Sequence, residues 1–197
     1  MLSAESRKEI IDLINQEVVP AMGCTEPIAV SLCTAKAVET LGCEPQNIKV
    51  LLSPNVLKNA MGVGIPGTDM IGLPIAIALG AIVGKSEYML EVLRDVTPES
   101  VVKGRRMIDE GRVSVGVKDG DCETLYIEVQ AVAGDDVATA VIAGAHTNFV
   151  YIAKNEEVVV DNRKPSSEVG ERKSVELTLR KVWDFAATSP IEELRFI

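Results

Sequence analysis

The spacing of apolar residues in the first 110 positions predicts mainly helices. Across residues 3–18 the apolar side chains recur every three or four positions, which predicts an amphipathic helix that either Ser3 or Ser6 caps and Pro20 ends. A second helix is predicted from about residue 26 to 41, and Gly42 suits its end because glycine readily adopts the left-handed conformation. Three more helices are expected at 72–84, 88–95 and 98–110.

After Gly111 the pattern changes to one typical of strands. Short runs rich in β-branched residues predict strands there, and a buried strand is also predicted earlier, at 47–52. The segment 136–145 is interpreted as a helix between two strands. We therefore expect an α+β fold in which a small mixed sheet packs against helices, with strands at 112–117, 124–133 and 148–153 and an edge strand at 156–160.

This patterning divides the chain into three parts. Residues 1–110 form a mainly helical part, residues 111–161 a β-rich part, and residues 162–197 a polar linker followed by helices. The tract at 162–173 is expected to be mobile, with one helix beginning at Ser174 and another at Ser189. The final helix has no terminating signal, which suggests a fragment of a longer protein.

Composition and charge narrow the classes of partner. The 197 residues carry a formal charge of −9 with a pI near 4.8, and no basic cluster exceeds two residues. Both features argue against nucleic acid as a binding partner. Residues 1–10 do not resemble a signal peptide and the apolar run at 70–83 is too short to cross a bilayer, so we expect a cytoplasmic protein without membrane contact. Its four cysteines are expected to be reduced.

The segment Gly-Cys-Thr-Glu-Pro at 23–27 carries the strongest candidate chemistry. It places Cys24 and Glu26 at a predicted helix start, where the helix dipole and free N–H groups stabilise anions, so Cys24 could be a metal ligand or a nucleophile. The alternative is a structural thiol, which is the commoner fate of a cytosolic cysteine. Glu26 is either a partner of the helix dipole or a site residue that acts as a base or binds a substrate ammonium group.

The segment 53–68 has too many glycines and prolines for a regular element and is predicted to be a functional loop. Asn55, Lys58 and Asn59 offer donors for a substrate carboxylate, and Lys58 becomes a candidate base if desolvation lowers its pKa. The loop also contributes candidate substrate-binding groups at Gly62, Gly64, Gly67 and Thr68, because glycines expose backbone N–H groups that can bind an anion. The alternative is irregular packing without a ligand.

His146 is the one histidine of the sequence. Any imidazole chemistry in this chain therefore depends on it, although a lone histidine at a predicted helix-to-strand junction is more often structural. Thr147 and Asn148 could orient it towards a substrate, and Thr25 is a further candidate for substrate binding. The other cysteines are interpreted as non-ligands: Cys33, Cys43 and Cys122.

Three blocks of sequence carry a resemblance to a known family. Gly-Cys-Thr-Glu-Pro at 23–27, Ser-Pro-Asn-Val-Leu-Lys-Asn-Ala-Met-Gly-Val-Gly-Ile-Pro-Gly-Thr at 53–68 and His-Thr-Asn at 146–148 resemble the L-cysteine desulfidase family. These are iron–sulfur proteins related to the alpha chain of bacterial L-serine dehydratase. Since family members are longer, the resemblance implies that this chain is the N-terminal half.

The resemblance implies a reaction and a cofactor. The reaction converts L-cysteine and water to hydrogen sulfide, ammonia and pyruvate, with a 4Fe-4S cluster as the Lewis acid and without pyridoxal phosphate. Cys24 matches the N-terminal cluster ligand of the family, and the other ligands belong to the half that this chain lacks. The fragment alone is therefore expected to be inactive, with Glu26, Lys58 or His146 moving protons in the complete protein.

Two other interpretations stay open at this point. The sequence does not separate L-cysteine from L-serine as the substrate, so an L-serine dehydratase is an alternative. A non-catalytic binding module is another, in which residues 112–160 bind a small molecule and the helices mediate oligomerisation. The sequence leaves the oligomeric state open, and a homo-oligomer is compatible with it.

Overall fold

A computed structural model describes residues 2–163 and 175–195. By internal contacts the chain divides into two compact units, one formed by Ala21–Arg163 and the other by Met1–Pro20 with Lys164–Ile197. These boundaries differ from the predicted three-part division, because strand Asn47–Leu52 from the helical part joins the same sheet as the later strands. Most of the predicted mobile tract, residues 164–173, lies outside the described residues.

Helices in the larger unit begin and end where the local sequence provides caps. Helix α2 (Thr25–Leu41) ends at Gly42, which has a φ of 82° as predicted. Helix α5 (Pro98–Asp109) starts with a reciprocal pair of hydrogen bonds between Thr97 and Ser100. The remaining helices of this unit are α3 (Pro54–Ala60), α4 (Leu73–Ile82) and a short 3-10 helix, Ser86–Glu91, in place of the α-helix expected at 88–95.

Six strands form one mixed sheet, which confirms the expected α+β class. They are β1 (Asn47–Leu52), β2 (Val113–Val117), β3 (Tyr126–Ala133), β4 (Asp136–Ala143), β5 (Phe149–Lys154) and β6 (Glu157–Asp161). The order across the sheet is β2-β1-β3-β4-β5-β6. Only the β1–β2 pair is parallel, and the other pairs are antiparallel.

The predicted helix at 136–145 is wrong, because this segment is strand β4. Its alanines favour a helix locally, but Gly134 and Asp135 close a two-residue hairpin that pairs β4 with β3. Strand β5 then occupies its other edge. With both edges paired, long-range hydrogen bonding outweighs local helix propensity.

Helix α2 is the centre of the hydrophobic core. It packs against strands β3 and β4 and against helix α4, and most of its side chains are buried. Helices α2 and α4 approach closely, since a Cβ on Gly80 would lie 2.6 Å from the carbonyl oxygen of Ser31. The Ser31 hydroxyl also donates to the carbonyl of Ala76 at 2.8 Å.

The described part of the smaller unit contains two helices, α1 (Ala4–Glu17) and α6 (Leu179–Thr188), and a 3-10 turn, Ile191–Leu194. Ser3 caps α1, as one of the two predicted alternatives has it. Helix α6 begins later than the expected start at Ser174, because Thr178 caps it and residues 175–178 are not helical. Arg7 ties the helices together by donating to Ser189 at 2.8 Å.

Within the described residues, none of the helices is both long and apolar enough to span a membrane.

Candidate functional site

The N-terminal end of helix α2 brings together polar side chains from three distant segments. Cys24 is the N-cap residue, and Glu26 lies in the first turn of the helix. Asn59 arrives from the last turn of α3, and His146 from the connection between β4 and β5. The convergence joins residues that are as far as 122 positions apart in the sequence.

Glu26 is the common partner in this cluster. Its carboxylate accepts hydrogen bonds from the Cys24 thiol at 3.2 Å, from the Thr25 hydroxyl at 3.3 Å and from the Asn59 side-chain amide at 3.3 Å. His146 acts on the same carboxylate electrostatically. We call Cys24, Thr25, Glu26, Asn59 and His146 the α2 cluster.

The cluster sets the protonation of its two acidic groups. Partial burial raises the pKa of Glu26, but the hydrogen bonds from Cys24 and Asn59 and the His146 imidazole outweigh it, and the pKa falls below its usual range. Although Cys24 is exposed, slight desolvation by the surrounding chain and the neighbouring Glu26 carboxylate raise the pKa of its thiol. In this structure Cys24 is therefore a thiol that donates to Glu26, and the direction of its pKa is opposite to the stabilisation of a thiolate expected from the helix dipole.

Gly23 lets the chain turn into this helix. Its φ is +88°, and a Cβ there would lie 3.0 Å from the Cγ of Pro66. A side chain at position 23 would thus be strained and would displace the loop. The glycine-rich segment therefore lies against the start of α2, with Pro66 beside Gly23 and next to the α2 cluster.

The predicted loop at 53–68 is partly helical, contrary to expectation. Ser53 accepts a hydrogen bond from the Val56 N–H and Pro54 takes the first helical position, so that helix α3 forms despite the neighbouring glycines and prolines. Asn55 and Asn59 lie four residues apart on one face of α3 and are both exposed. Lys58 is also exposed, so the desolvation on which its predicted role as a base depends is absent from the described chain.

The other predicted substrate-binding residues have other local roles. Thr68 donates its hydroxyl hydrogen within the loop, to the Ile65 carbonyl at 2.9 Å. The Asn148 side chain donates to the Ala143 carbonyl at 2.9 Å and so closes the turn that presents His146. Gly62 and Gly64 face open space, whereas Gly67 and Thr68 line a shallow cavity beside α5 that does not include Cys24. Thr147 is partly buried beside His146.

A 4Fe-4S cluster is held by cysteine thiolates, so the exposure and position of each cysteine decide whether it could be a ligand. Cys24 is exposed at a helix N-terminus, which suits a thiolate ligand. Cys33 is buried and its thiol donates to the Ala140 carbonyl at 3.3 Å, while Cys43 follows the opposite end of the 17-residue α2, about 25 Å away. Among the described residues, no three His, Cys, Asp or Glu side chains form a metal-binding group. Of these three cysteines, Cys24 is the one that is both exposed and at a helix N-terminus.

Sequence reasoning missed a polar cluster on the sheet face opposite the helices. Glu128 accepts hydrogen bonds from Lys118 at 2.6 Å and from Tyr126 at 2.7 Å. Burial raises the pKa of Glu128, but its hydrogen bonds and the Lys118 charge outweigh this and lower it. Polar residues at every second position of β3, namely Tyr126, Glu128 and Gln130, were the signal in the sequence.

Comparison with known proteins gives one group of relatives. The chain is similar to UPF0597 proteins. It is 62% identical over 197 residues to the UPF0597 protein of Bacteroides thetaiotaomicron, covering 100% of this chain and 46% of that protein. The UPF0597 protein of Porphyromonas gingivalis is 46% identical over 202 residues, with 47% of its length covered.

More distant relatives carry the same name. The UPF0597 protein PBPRB0240 of Photobacterium profundum is 43% identical over 190 residues, covering 95% of this chain and 44% of the relative. The chain thus spans about half the length of the curated relatives it matches. No protein-family model matches it.

Proposed function

We propose that this chain is the N-terminal half of an iron–sulfur-dependent L-cysteine desulfidase, a carbon–sulfur lyase that converts L-cysteine and water to hydrogen sulfide, ammonia and pyruvate. The observation that carries the proposal is the α2 cluster, in which an exposed cysteine, an ionised carboxylate, an amide and an imidazole meet at one helix end. The coverage of less than half of each longer relative is consistent with a partial chain.

In this proposal Cys24 is one ligand of the 4Fe-4S cluster, and the remaining ligands of that cluster come from polypeptide outside this chain. When bound, the 4Fe-4S cluster supplies a Lewis acid that helps the β-substituent of the substrate to leave. The raised pKa of the free Cys24 thiol does not oppose this role, because metal binding displaces the thiol proton. Pyridoxal phosphate has no part in the proposed reaction.

The α2 cluster divides the work of binding and proton transfer. Since the pKa of Glu26 is lowered, its carboxylate stays ionised at neutral pH and is a weak base. It is therefore better suited to bind the substrate ammonium group than to remove the Cα proton. Imidazole is the side chain that most often transfers protons in enzymes, which favours His146 for that step. Lys58 is the alternative base, and Asn55 and Asn59 offer amide donors to the substrate carboxylate.

The test is an anaerobic reconstitution of the full-length protein with iron and sulfide, followed by assays of pyruvate and sulfide. We expect pyruvate from L-cysteine together with sulfide. If pyruvate forms from L-serine alone, the proposed activity is that of an L-serine dehydratase, which the same α2 cluster could support. A reconstituted protein that contains iron but acts on neither amino acid would contradict the enzymatic proposal and favour a non-catalytic binding module.

A further inference from the structure

The end of helix α2 opposite Cys24 borders a cavity. A cavity of about 730 Å³ opens where the C-terminal ends of α2 and α4 meet the side of α5. Helix α2 separates it from the α2 cluster by about 25 Å, at 1.5 Å per residue over its 17 residues. Nothing in the proposed reaction uses this cavity.

The floor of the cavity is apolar and made of small side chains. Ala35, Val38, Ala81 and Met107 line it. Gly84 also contributes, and a Cβ there would lie 2.8 Å from the Cβ of Ala35. Gly84 and Ala35 thus pack directly against each other, and the cavity beside them has room for a short aliphatic group on an apolar surface of the kind that small-molecule sites usually contain.

One wall of the cavity carries uncommitted cationic donors. Lys103 and Arg106 lie three residues apart on α5, so they are neighbours on the helix surface. Arg106 uses its Nε to bind Glu110 at 2.7 Å, and its terminal nitrogens have no partner in the described part of the chain. The Lys103 Nζ likewise forms no hydrogen bond or ion pair within residues 2–163 and 175–195. These donors suit a carboxylate.

The opposite wall carries partial negative charge. Helix α4 ends at Ile82, and the C-terminal end of a helix attracts a cation because its last carbonyl groups lack intrahelical partners. The corresponding end of α2 is already occupied, since the Lys154 ammonium donates to the Leu41 carbonyl at 2.7 Å. Within the described residues, no backbone hydrogen bond ends on the carbonyl oxygens of Ala81 or Ile82. The Glu39 carboxylate on this side is already paired, because it accepts hydrogen bonds from the Ser86 N–H at 2.6 Å and from the Ser86 hydroxyl at 2.5 Å.

We propose that this cavity binds a free α-amino acid with an aliphatic side chain. The carboxylate would lie at Lys103 and Arg106, the ammonium group at the carbonyl end of α4, and the side chain on the apolar floor. A zwitterion matches both walls at once, whereas an acid or an amine matches only one. Because helix α2 links the two regions, a ligand here would contact the same helix that carries the α2 cluster.

Three matched probes separate these features: L-leucine, 4-methylpentanoate, which lacks the ammonium group, and 3-methylbutylamine, which lacks the carboxylate. Each is titrated into the ¹⁵N-labelled 197-residue chain while amide signals are followed by NMR. L-Leucine should shift the amides of Gly42, Gly84 and Lys103. Each analogue should bind about tenfold more weakly, since one charge-assisted contact is lost.

Two exposed lysines, Lys103 in the cavity wall and Lys49 on the sheet, are replaced to test the proposal. Lys103→Gln should weaken L-leucine binding about fivefold and leave 3-methylbutylamine unchanged. Lys49→Gln, on the sheet face away from the helices, should change neither. Absence of L-leucine binding, equal binding of all three probes, or an unchanged affinity in Lys103→Gln would each overturn the proposal. Shifts confined to Gly23–Glu26 and Asn59 would do so as well, because they would assign the amino acid to the α2 cluster.

Discussion

At the residue scale, Glu26 shows how neighbours that are remote in sequence set the chemistry of one group. The helix start at 23–27 could be read from the sequence, since a glycine, a short polar stretch and a proline precede an apolar run. The hydrogen bond from Asn59 could not be read there, because it depends on where α3 ends in space. The raised pKa of Cys24 could not be read from the sequence either, because it follows from slight desolvation of the thiol and from the orientation of Glu26.

The Asn59 contact predicts a measurable change in the ionisation of Glu26. The Asn59 amide donates to the ionised carboxylate and stabilises it, so Asn59→Leu should raise the pKa of Glu26. Asn55→Leu is the matched control, because Asn55 lies one turn earlier on the same exposed face of α3. Carboxyl ¹³C NMR titration measures both. Equal shifts in the two variants, or none in either, would show that the Asn59 contact does not control Glu26.

At the scale of elements, local signals located most helices and misassigned those segments that long-range contacts decide. Caps such as Thr97 and Gly42 act within one turn and are visible in the sequence. Strand β4 depends on pairing with both β3 and β5, so its alanine-rich sequence was misleading. Helix α3 was missed because the glycines after residue 60 obscured its Ser53–Pro54 start.

The packing of α2 against α4 predicts a large cost for one added methyl group. Gly80→Ala would place a Cβ 2.6 Å from the Ser31 carbonyl oxygen, so the two helices must separate. The free energy of unfolding should fall by about 1–3 kcal/mol in urea denaturation. Gly62→Ala, where a Cβ meets open space, should change it by less than about 0.5 kcal/mol. Equal values for the two variants would contradict the close helix contact.

At the scale of the whole molecule, the sequence pattern predicted the α+β class, but it did not predict the boundaries of the two compact units. Strand β1 comes from the helical part of the sequence and yet lies inside the sheet between β2 and β3. A division by composition at residue 110 therefore separates segments that share one core. The α2 cluster also combines residues from both sides of this division, since Cys24 and Asn59 come from the helical part and His146 from the β-rich part.

The proposal as a whole depends on Cys24 as a cluster ligand, and its most direct test compares two exposed cysteines at opposite ends of α2. Cys24→Ala and Cys43→Ala are prepared in the full-length protein and reconstituted anaerobically, and the bound iron and the visible absorption of the cluster are measured. We predict that Cys24→Ala loses the cluster signal and lyase activity, whereas Cys43→Ala retains both. An intact cluster and full activity in Cys24→Ala would contradict the account.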